Sequence, residues 1–399
     1  MVAWEYPPLF VGGLGVHCKA LTESLQRLGI EVRFYLPISK SDYDRITFPP
    51  HVYPVLIGST DLPQAYSIQN TFSWETIEAF TDGLTRVLDP TGVDLIHVHD
   101  WMAAPAGLAA AAAFRLPLVA TLHSTEYDRS GGGPMHPVIV DIKREVAGRA
   151  DRLIVVSNYT RDVLKERLSV HRSEISVIHN GLDWESFQTL RRRDYSGGGD
   201  VLFLGRVTAQ KGPGTFLESA RVLIRERGFP HTFTLAGEGD QLATLKRRAQ
   251  HFGIADRVRF PGRVDGDRLL ECYEKAALFV LPAVSEPFGI TVLEAMAAGL
   301  PVIISHTTGV GEVVRNVVRV EANDPAQLAD ATERLMNDAR LRATLGRAAA
   351  GEVQEFTWER VARCTVDVYR SCVDRSCVDR SCGHRSCLPP TRHGEGDRG

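Results

Sequence analysis

The segment 285–301 reads SEPFGITVLEAMAAGLP and follows an apolar run, residues 277–282, that predicts a buried strand. The Pro-Phe-Gly part of the segment predicts a turn, and residues 290–298 predict a helix. Gly299 and Pro301 predict the end of that helix. The sequence therefore predicts a strand, a loop and a helix in succession, which is the unit from which parallel α/β sheets are built.

This segment places two carboxylates close to the start of the predicted helix. Glu286 lies on the loop after the strand, and Glu294 lies about two turns further along. The backbone N–H groups of Phe288, Gly289 and Ile290 lie at the positive end of the helix, where an anion is stabilised. These groups suit a ligand that carries both hydroxyls and a phosphate. From the carboxylates alone, a loop acid and a solvated helix acid are the alternative interpretation.

A glycine-rich loop, VGGLG at residues 11–15, lies near the start of the chain. It separates an apolar stretch at residues 2–4 from an amphipathic helix predicted over residues 16–28, and residues 30–36 predict the next strand. This order predicts a parallel β-α-β unit. Backbone N–H groups in such a loop can approach a phosphate or a sugar, and a tight turn is the alternative. The three glycines are Gly12, Gly13 and Gly15.

Two further predicted strands end in polar residues. One begins at Asp94 and ends at His99 and Asp100, and the other covers residues 117–122 and is followed by His123. Open parallel sheets bind ligands beyond the carboxyl ends of their strands, so both polar groups are expected in a cleft. Asp100 has the alternative role of capping the following helix.

Two basic residues occupy a comparable loop in the second half of the chain. Arg206 and Lys211 lie between a predicted strand, residues 201–205, and a predicted helix, residues 215–226. An arginine can grip phosphate oxygens with two hydrogen bonds, and a lysine adds a point charge. Gly237 lies in a glycine-rich turn after the next predicted strand. The loops of this half therefore predict a site for an anionic ligand.

Glu286 and Glu294, separated by seven residues that begin Pro-Phe-Gly, resemble the E-x7-E signature of retaining GT-B glycosyltransferases of family 4. Residues 12–15 resemble the first loop of families 4 and 5, and residues 205–212 resemble the family's diphosphate-binding loop. The resemblance extends from Val2 to about residue 370. It implies an α/β chain with the GT-B fold, in which two doubly wound, Rossmann-like domains face each other across a cleft.

The resemblance also implies a separate binding role for each domain and catalytic and donor-binding roles for individual residues. The second domain would hold the nucleotide and the sugar of a nucleotide-sugar donor, and the first domain would bring the Gly-rich loop, His123 and the acceptor. The implied catalytic positions are His123, Glu286, Arg206 and Lys211. The implied donor-binding positions are Gly12, Gly13, Gly15, Arg206, Lys211, Gly237, Val264, Glu286, Phe288, Gly289, Ile290 and Glu294. The resemblance implies transfer of a hexose with retention of configuration at the anomeric carbon. It implies no metal ion and no cofactor besides the donor substrate.

The segments at residues 4–15, 99–101 and 123–127 are similar to those of bacterial and archaeal glycogen-synthase-like members. This similarity implies ADP-glucose or UDP-glucose as donor and an α-glucan as acceptor. Mannosyl-, galactosyl- and sucrose-forming transferases of the family remain alternatives. A second alternative is a GT-B hydrolase or epimerase that uses a sugar nucleotide without an acceptor. A third alternative is a non-catalytic binding protein.

The same pattern divides the chain into parts. The expected first domain is residues 1–190, with a shortened first strand, and the expected second domain is residues 191–355. Residues 356–370 are expected to form a helix that crosses back to the first domain. Residues 371–399 contain a decaying Arg-Ser-Cys-Val-Asp repeat and are expected to be a disordered tail. The even spacing of the repeat's cysteines differs from the Cys-x2-Cys hooks of zinc sites.

Composition excludes several classes of function. The length of 399 residues suits two domains. A net charge of -3 provides no broad basic surface for nucleic acid. No apolar run is long enough to span a bilayer, and the chain start does not resemble a signal peptide, so a cytoplasmic location is expected. The oligomeric state is left open.

Overall fold

The computed structural model describes residues 1–9, 12–58, 74–192 and 199–373. Among these described residues, the first half has six strands, which pair in parallel within their sheets. They are β1 (Phe34–Ile38), β2 (Val52–Leu56), β3 (Ile96–His99), β4 (Leu118–Leu122), β5 (Arg152–Val155) and β6 (Ser176–Val177). The helices of this half are α1 (Gly13–Arg27), α2 (Lys40–Tyr43), α3 (Trp74–Val87), α4 (Asp100–Phe114), α5 (Glu126–Arg129), α6 (Pro137–Arg149) and α7 (Asn158–Leu168).

The first residues of the chain join the two parts of this sheet. Val2 forms parallel bridges to Tyr35 in β1 and to Val98 in β3. The N–H of Val2 donates to the backbone carbonyl of His97, and the N–H of His99 donates to the carbonyl of Val2. The spatial order is therefore β2, β1, the Val2 segment, β3, β4, β5 and β6. In this order the strand that comes first along the chain is central, and the direction of winding reverses beside it.

The second half repeats the same arrangement. Its six parallel strands have the order β12-β11-β10-β7-β8-β9, so the winding reverses between β7 and β10. The strands are β7 (Asp200–Leu204), β8 (Phe233–Ala236), β9 (Val258–Gly262), β10 (Ala276–Leu281), β11 (Val302–Ser305) and β12 (Val318–Val320). The helices are α8 (Pro213–Arg221), α9 (Leu242–His251), α10 (Gly266–Lys275), α11 (Ile290–Ala297), α12 (Pro325–Asn337) and α13 (Ala339–Glu352). Strands buried on both faces, such as β10, explain the unbroken apolar runs of the sequence.

The last described helix, α14 (Trp358–Val373), packs against α1 of the first half. The hydroxyl of its Tyr369 lies 2.7 Å from Nδ1 of His97. The predicted helix ends near Tyr369, but α14 continues to Val373, because the guanidinium of Arg152 donates to the hydroxyl and the carbonyl of Ser371. Residues 371–373 therefore belong to the helix and not to a tail. The rest of the expected tail, residues 374–399, lies outside the described residues.

Other boundaries differ from the sequence prediction by a few residues. Helix α1 begins at Gly13 and includes most of the glycine-rich loop. Strand β1 covers Phe34–Ile38 and not residues 30–36. Residues 193–198, near the start of the expected second domain, lie outside the described residues. No helix in the described part of the chain is long and apolar enough to cross a membrane.

Candidate active site

The candidate site lies at the two places where the winding of the sheets reverses. In open parallel sheets, ligands bind in the crevice beyond the carboxyl ends of the strands at this point. In the second half the flanking loops follow β7 and β10, and they carry Lys211 and Glu286. In the first half they follow the Val2 segment and β3, and they carry Glu5 and Asp100.

Lys211 and Glu286 form an ion pair between the two loops of the second half. Their side chains are only 15% and 7% exposed. Burial lowers the pKa of Lys211, because it removes water from the ammonium, although the charge of Glu286 opposes the effect. The guanidinium of Arg206 lowers this pKa further and donates to Oε1 of Gln210 at 3.0 Å. The structure thus brings together three of the four predicted catalytic side chains.

Close backbone packing holds the loop that carries Arg206. Gly237, at the end of β8, has a φ of +137°, and a Cβ at this position would lie 1.8 Å from the carbonyl oxygen of Gly205. Only glycine fits such an approach. The structure therefore places Gly237 behind the Arg206 loop as a packing residue. Val264, which follows the edge strand β9, is half-buried and packs against the core of the second half.

The start of α11 offers backbone donors to an anion. Gly289 precedes the helix with a φ of +104°, and no described side chain caps this end. The N–H of Val292 donates to the carbonyl of Gly289, and the N–H groups of Ile290 and Thr291 are the ones that a negatively charged group can use. Phe288 is buried, and its carbonyl accepts from the N–H of Val310. Ile290 faces the glycine-rich loop, since a Cβ on Gly13 would lie 4.0 Å from its Cδ1.

Glu294 lies inside α11 and accepts a hydrogen bond from the hydroxyl of Tyr273 at 2.6 Å. Burial raises the pKa of Glu294, because the apolar surroundings disfavour its charge, while the Tyr273 hydrogen bond acts in the opposite direction. Tyr273 is itself fully buried. The carboxylate is therefore held in place by the core, and it is not the solvated helix acid of the alternative interpretation.

Glu5 is a site residue that the sequence analysis did not identify. Its Oε2 accepts from the N–H groups of both Gly12 and Gly15, each at 3.2 Å. These two donors of the glycine-rich loop are thus bonded within the protein. Glu5 is 2% exposed, and burial outweighs the opposing effects of the two backbone hydrogen bonds and Arg206, so that its pKa is raised to about 7. A lone glutamate after an apolar stretch gave no signal for this role.

We expect the substitution Glu5→Gln to stabilise the protein more at pH 8 than at pH 5. The amide oxygen of glutamine can keep both glycine N–H partners without a buried charge. Between about pH 4.3, the ordinary pKa of glutamate, and pH 7, the folded protein keeps a proton that the unfolded chain has lost. The free energy of unfolding of the wild type therefore falls across this window, and at pH 8 the loss from this one group reaches about 3–4 kcal/mol.

Urea unfolding of both proteins at pH 5 and pH 8 measures this difference. Glu31→Gln is the matched control, because Glu31 is an exposed carboxylate in a surface pair with Arg33. We expect no pH-dependent change for the control. The same stabilisation at both pH values in Glu5→Gln would contradict the assignment of a buried, titrating carboxylate.

Four histidines gather at the carboxyl ends of the first-half strands and at the start of α1. His97 is bonded through its two nitrogens to Tyr369 and Thr121. Nδ1 of His99 lies 3.1 Å from Nε2 of His123. Burial, together with the smaller effects of His97 and Lys143, lowers the pKa of His123 to about 3, so His123 is neutral at pH 7. His17 on α1 is the fourth, and the sequence analysis did not identify it.

A buried ion pair lies beneath His123. Nζ of Lys143 on α6 donates to Oδ1 of Asp100 at 2.6 Å and to the carbonyl of Ser124 at 2.6 Å. Asp100 also accepts from the N–H of Trp101, and it has a φ of +59°. Asp100 is the first residue of α4 and His99 holds the N-cap position, so this bond between neighbouring residues is not the helix cap of the alternative interpretation. In addition, the pair fixes the loop that carries His123.

The loops of the two halves touch each other beside Glu286. The hydroxyl of Ser285 donates to Oδ1 of Asp128 and lies 2.7 Å from the hydroxyl of Tyr159. The hydroxyl of Ser157 donates to the carbonyl of Pro287 at 2.5 Å. Ser157 is the N-cap of α7 and also an interdomain contact.

Glu312 makes a second set of interdomain bonds. It accepts from the backbone N–H groups of Asn158 and Tyr159 and from Nε2 of His179. The bond from His179 and these backbone donors lower the pKa of Glu312 against the effect of burial. These contacts of Ser285, Ser157 and Glu312 hold the two halves together beside the loop that carries Glu286.

Two protein-family models match the chain. The Glycosyltransferase Family 4 model matches residues 11–186, and the Glycosyl transferases group 1 model matches residues 191–352. Each model therefore covers one half of the structure.

Proteins with similar sequences are named as glycosyltransferases or as a glycogen synthase. An uncharacterized glycosyltransferase of Methanocaldococcus jannaschii is 32% identical, with 94% of this chain and 98% of the relative covered. A glycogen synthase of Mycobacterium tuberculosis is 31% identical, with 92% and 93% covered. A D-inositol 3-phosphate glycosyltransferase of Paenarthrobacter aurescens is 27% identical, with 91% and 93% covered.

Solved structures have the same fold. Sucrose-phosphate synthase of Thermosynechococcus elongatus superposes with a TM-score of 0.78 at 24% identity, covering 93% of this chain and 98% of that one. HepE of Anabaena, solved with UDP-glucose, superposes with a TM-score of 0.72 at 18% identity, covering 93% and 99%.

Proposed function

The chain belongs to the family 4 and group 1 glycosyltransferases with the GT-B fold, and from this premise we propose the reaction that it catalyses. It transfers glucose from ADP-glucose or UDP-glucose to an α-glucan, with retention at the anomeric carbon. The glycogen synthase relative supports this choice of donor and acceptor. HepE, with the same fold, was solved with UDP-glucose, which supports a nucleotide sugar in the cleft.

One observation carries the proposal. Lys211 and Arg206 lie together with Glu286 in front of the uncapped start of α11. Two cations and a helix N-terminus suit a diphosphate, and a carboxylate suits the hydroxyls of the attached hexose. A donor that carries both groups matches the whole arrangement.

The buried ion pair indicates what happens when the donor binds. Without the donor, the ammonium of Lys211 is paired with Glu286. A diphosphate bound at the start of α11 offers that ammonium a more highly charged partner. Lys211 then turns to the phosphate, and Glu286 is released to accept hydrogen bonds from hexose hydroxyls. Before the donor binds, Lys211 and Glu286 thus neutralise each other's charge. When it binds, its diphosphate and hydroxyls become their new partners, so neither charge is left buried and unpaired.

In the chemical step, the bond between the anomeric carbon and the phosphate oxygen breaks, and a bond to the acceptor oxygen forms on the same face. Negative charge grows on the departing diphosphate, where Arg206, Lys211 and the helix start stabilise it. The departing phosphate oxygen takes the proton of the acceptor hydroxyl. His123 is neutral, so it can hydrogen-bond the hexose without repelling the cationic character that develops on the sugar ring.

A donor and acceptor panel tests the proposal. The purified protein is incubated with ADP-, UDP- and GDP-linked glucose, mannose and galactose, each with and without glycogen, and nucleotide release is measured. We expect release that depends on glycogen with one glucose donor. The proton coupling at the anomeric carbon of the product is then expected to report the α configuration of the donor.

The same panel separates the alternatives. Including D-inositol 3-phosphate among the acceptors tests the activity named for the Paenarthrobacter relative. Release from a mannose or galactose donor would replace glucose in the proposal. Nucleotide release at the same rate with and without every acceptor would indicate a hydrolase. Inversion of configuration at the anomeric carbon would overturn the retaining mechanism.

A further inference from the structure

His17, His99 and His123 form a compact cluster that the proposed mechanism uses only in part. One ring nitrogen from each of the three lies within 4.8 Å of those of the other two. The residues come from three different elements, namely α1, the end of β3 and the loop after β4. His17 and His99 are only 4% and 0% exposed. Three imidazoles that converge from separate elements are typical of a metal centre.

The hydrogen bond of His17 fixes which of its nitrogens is free. Nδ1 of His17 lies 2.8 Å from Oδ1 of Asn180, an oxygen that can only accept. Nδ1 therefore carries the proton, and Nε2 carries a lone pair. This Nε2 is buried and has no hydrogen-bond partner among the described residues. Histidines that bind metals typically donate their other N–H to an oxygen in this way.

His99 presents a second such atom. Its Nε2 is also buried without a partner in the described part of the chain, while its Nδ1 faces Nε2 of His123 at 3.1 Å. Two unpartnered buried nitrogens in one cluster cost free energy unless a ligand satisfies them.

We propose that His17, His99 and His123 form a binding site for a divalent transition-metal ion, with Zn²⁺ and Cu²⁺ as the preferred ions. Three imidazoles with no carboxylate among them favour zinc and copper over magnesium or calcium. Zinc–nitrogen distances of about 2.0–2.1 Å bring tetrahedral ligand atoms to within roughly 3.5 Å of one another, so side-chain shifts of about 1 Å complete the site. A fourth position stays open to water or a hydroxyl.

The bound ion would engage His123 and thereby block the hexose side of the cleft. Inhibition of transfer by Zn²⁺ is the consequence, and this consequence rests on the proposed function. Binding of the ion does not, because it needs only the three imidazoles. Measuring binding without any donor therefore separates a failure of the metal site from a failure of the proposed reaction.

Trp358 supplies a local reporter for the site. Its ring centroid lies 5.3 Å from that of His17. Titration of the full chain with Co²⁺, under reducing conditions, is expected to quench tryptophan fluorescence in a saturable manner. Trp358→Phe is expected to remove most of this quenching. The thiols of residues 377, 382 and 387 can also bind metal, and the histidine variants distinguish the cluster from them, because those variants leave every thiol in place.

Zn²⁺ calorimetry on variants gives the stoichiometry. We expect His17→Gln and His99→Gln each to lose one bound ion, or to weaken its affinity by about 100-fold. His306→Gln is the matched control, since His306 is 52% exposed and lies outside the cluster. Its stoichiometry is expected to equal that of the wild type. Thermal unfolding of each variant without metal verifies that it is folded.

Two results would overturn the proposal. The first is equal Zn²⁺ stoichiometry and affinity in the wild type, His17→Gln and His99→Gln. The second is Co²⁺ binding without saturable quenching of Trp358, which would place every bound ion elsewhere. If either variant fails to fold, the wild-type and Trp358→Phe titrations still decide the question.

Discussion

Replacing Lys211 with alanine is expected to lower kcat for glycosyl transfer by about 100-fold or more. The ammonium of Lys211 is buried beside Arg206 and paired with Glu286 before the donor binds. In the proposed reaction it faces the diphosphate at the moment when negative charge develops there. Because the side chain is already in place and shielded from water, its removal takes away stabilisation that solvent cannot replace. Nucleotide release under saturating donor measures the effect.

Lys275→Ala is the control for this prediction. Lys275 also pairs with a glutamate, Glu271, but its side chain is 61% exposed, so we expect unchanged kcat. Lys211→Ala also leaves Glu286 buried without its partner, so its unfolding must be measured to show that the protein remains folded. A folded Lys211→Ala protein that keeps kcat within about threefold of the wild type would contradict the leaving-group role.

The substitution Lys143→Met is expected to lower the free energy of unfolding by about 3–5 kcal/mol. Lys143 and Asp100 are only 1% and 5% exposed, so the pair is fully enclosed. Removing the ammonium leaves a carboxylate without its counter-charge in surroundings that water does not reach. The carbonyl of Ser124 loses a donor at the same time. Urea unfolding at pH 7 measures the change.

The double variant Asp100→Asn with Lys143→Met tests the cause. Asparagine tolerates the left-handed backbone of this position, where φ is +59°, and it carries no charge. We expect it to recover a large part of the lost stability. Arg149→Ala, which breaks an exposed pair with Glu145, is expected to cost less than about 1 kcal/mol. Equal losses in Lys143→Met and Arg149→Ala would show that burial of the pair has no energetic effect.

Features that depend on neighbouring residues could be predicted from the sequence. The apolar run before Glu286 and the Gly-Leu-Pro sequence after the helix are local signals, and β10 and α11 lie close to their predicted positions. The GT-B fold and the family follow from such local patterns repeated in order along the chain. The sequence also placed Lys211 and Glu286 on loops after strands of the same domain, and the structure adds that β7 and β10 are neighbours, which brings these two loops together.

Glu5, His17 and Lys143 could not be found in this way. Each is a common residue type without a local pattern, and its role arises from partners elsewhere in the fold. Lys143 meets Asp100 because α6 packs on α4, and His17 meets Asn180 across most of the first half. The extension of α14 to Val373 likewise depends on Arg152, more than two hundred residues earlier. Periodicity and spacing carry no information about such contacts.

The position of α14 has a consequence for synthesis of the protein. Its residues 358–373 pack against α1, and Tyr369 bonds to His97 in the central part of the first sheet. On a ribosome, the first half leaves the exit tunnel long before this helix exists. The surface of the first half that α14 covers therefore stays exposed until nearly the whole second half has been synthesised. The second half can fold on its own strands meanwhile, so the half that is synthesised first is the one that is completed last.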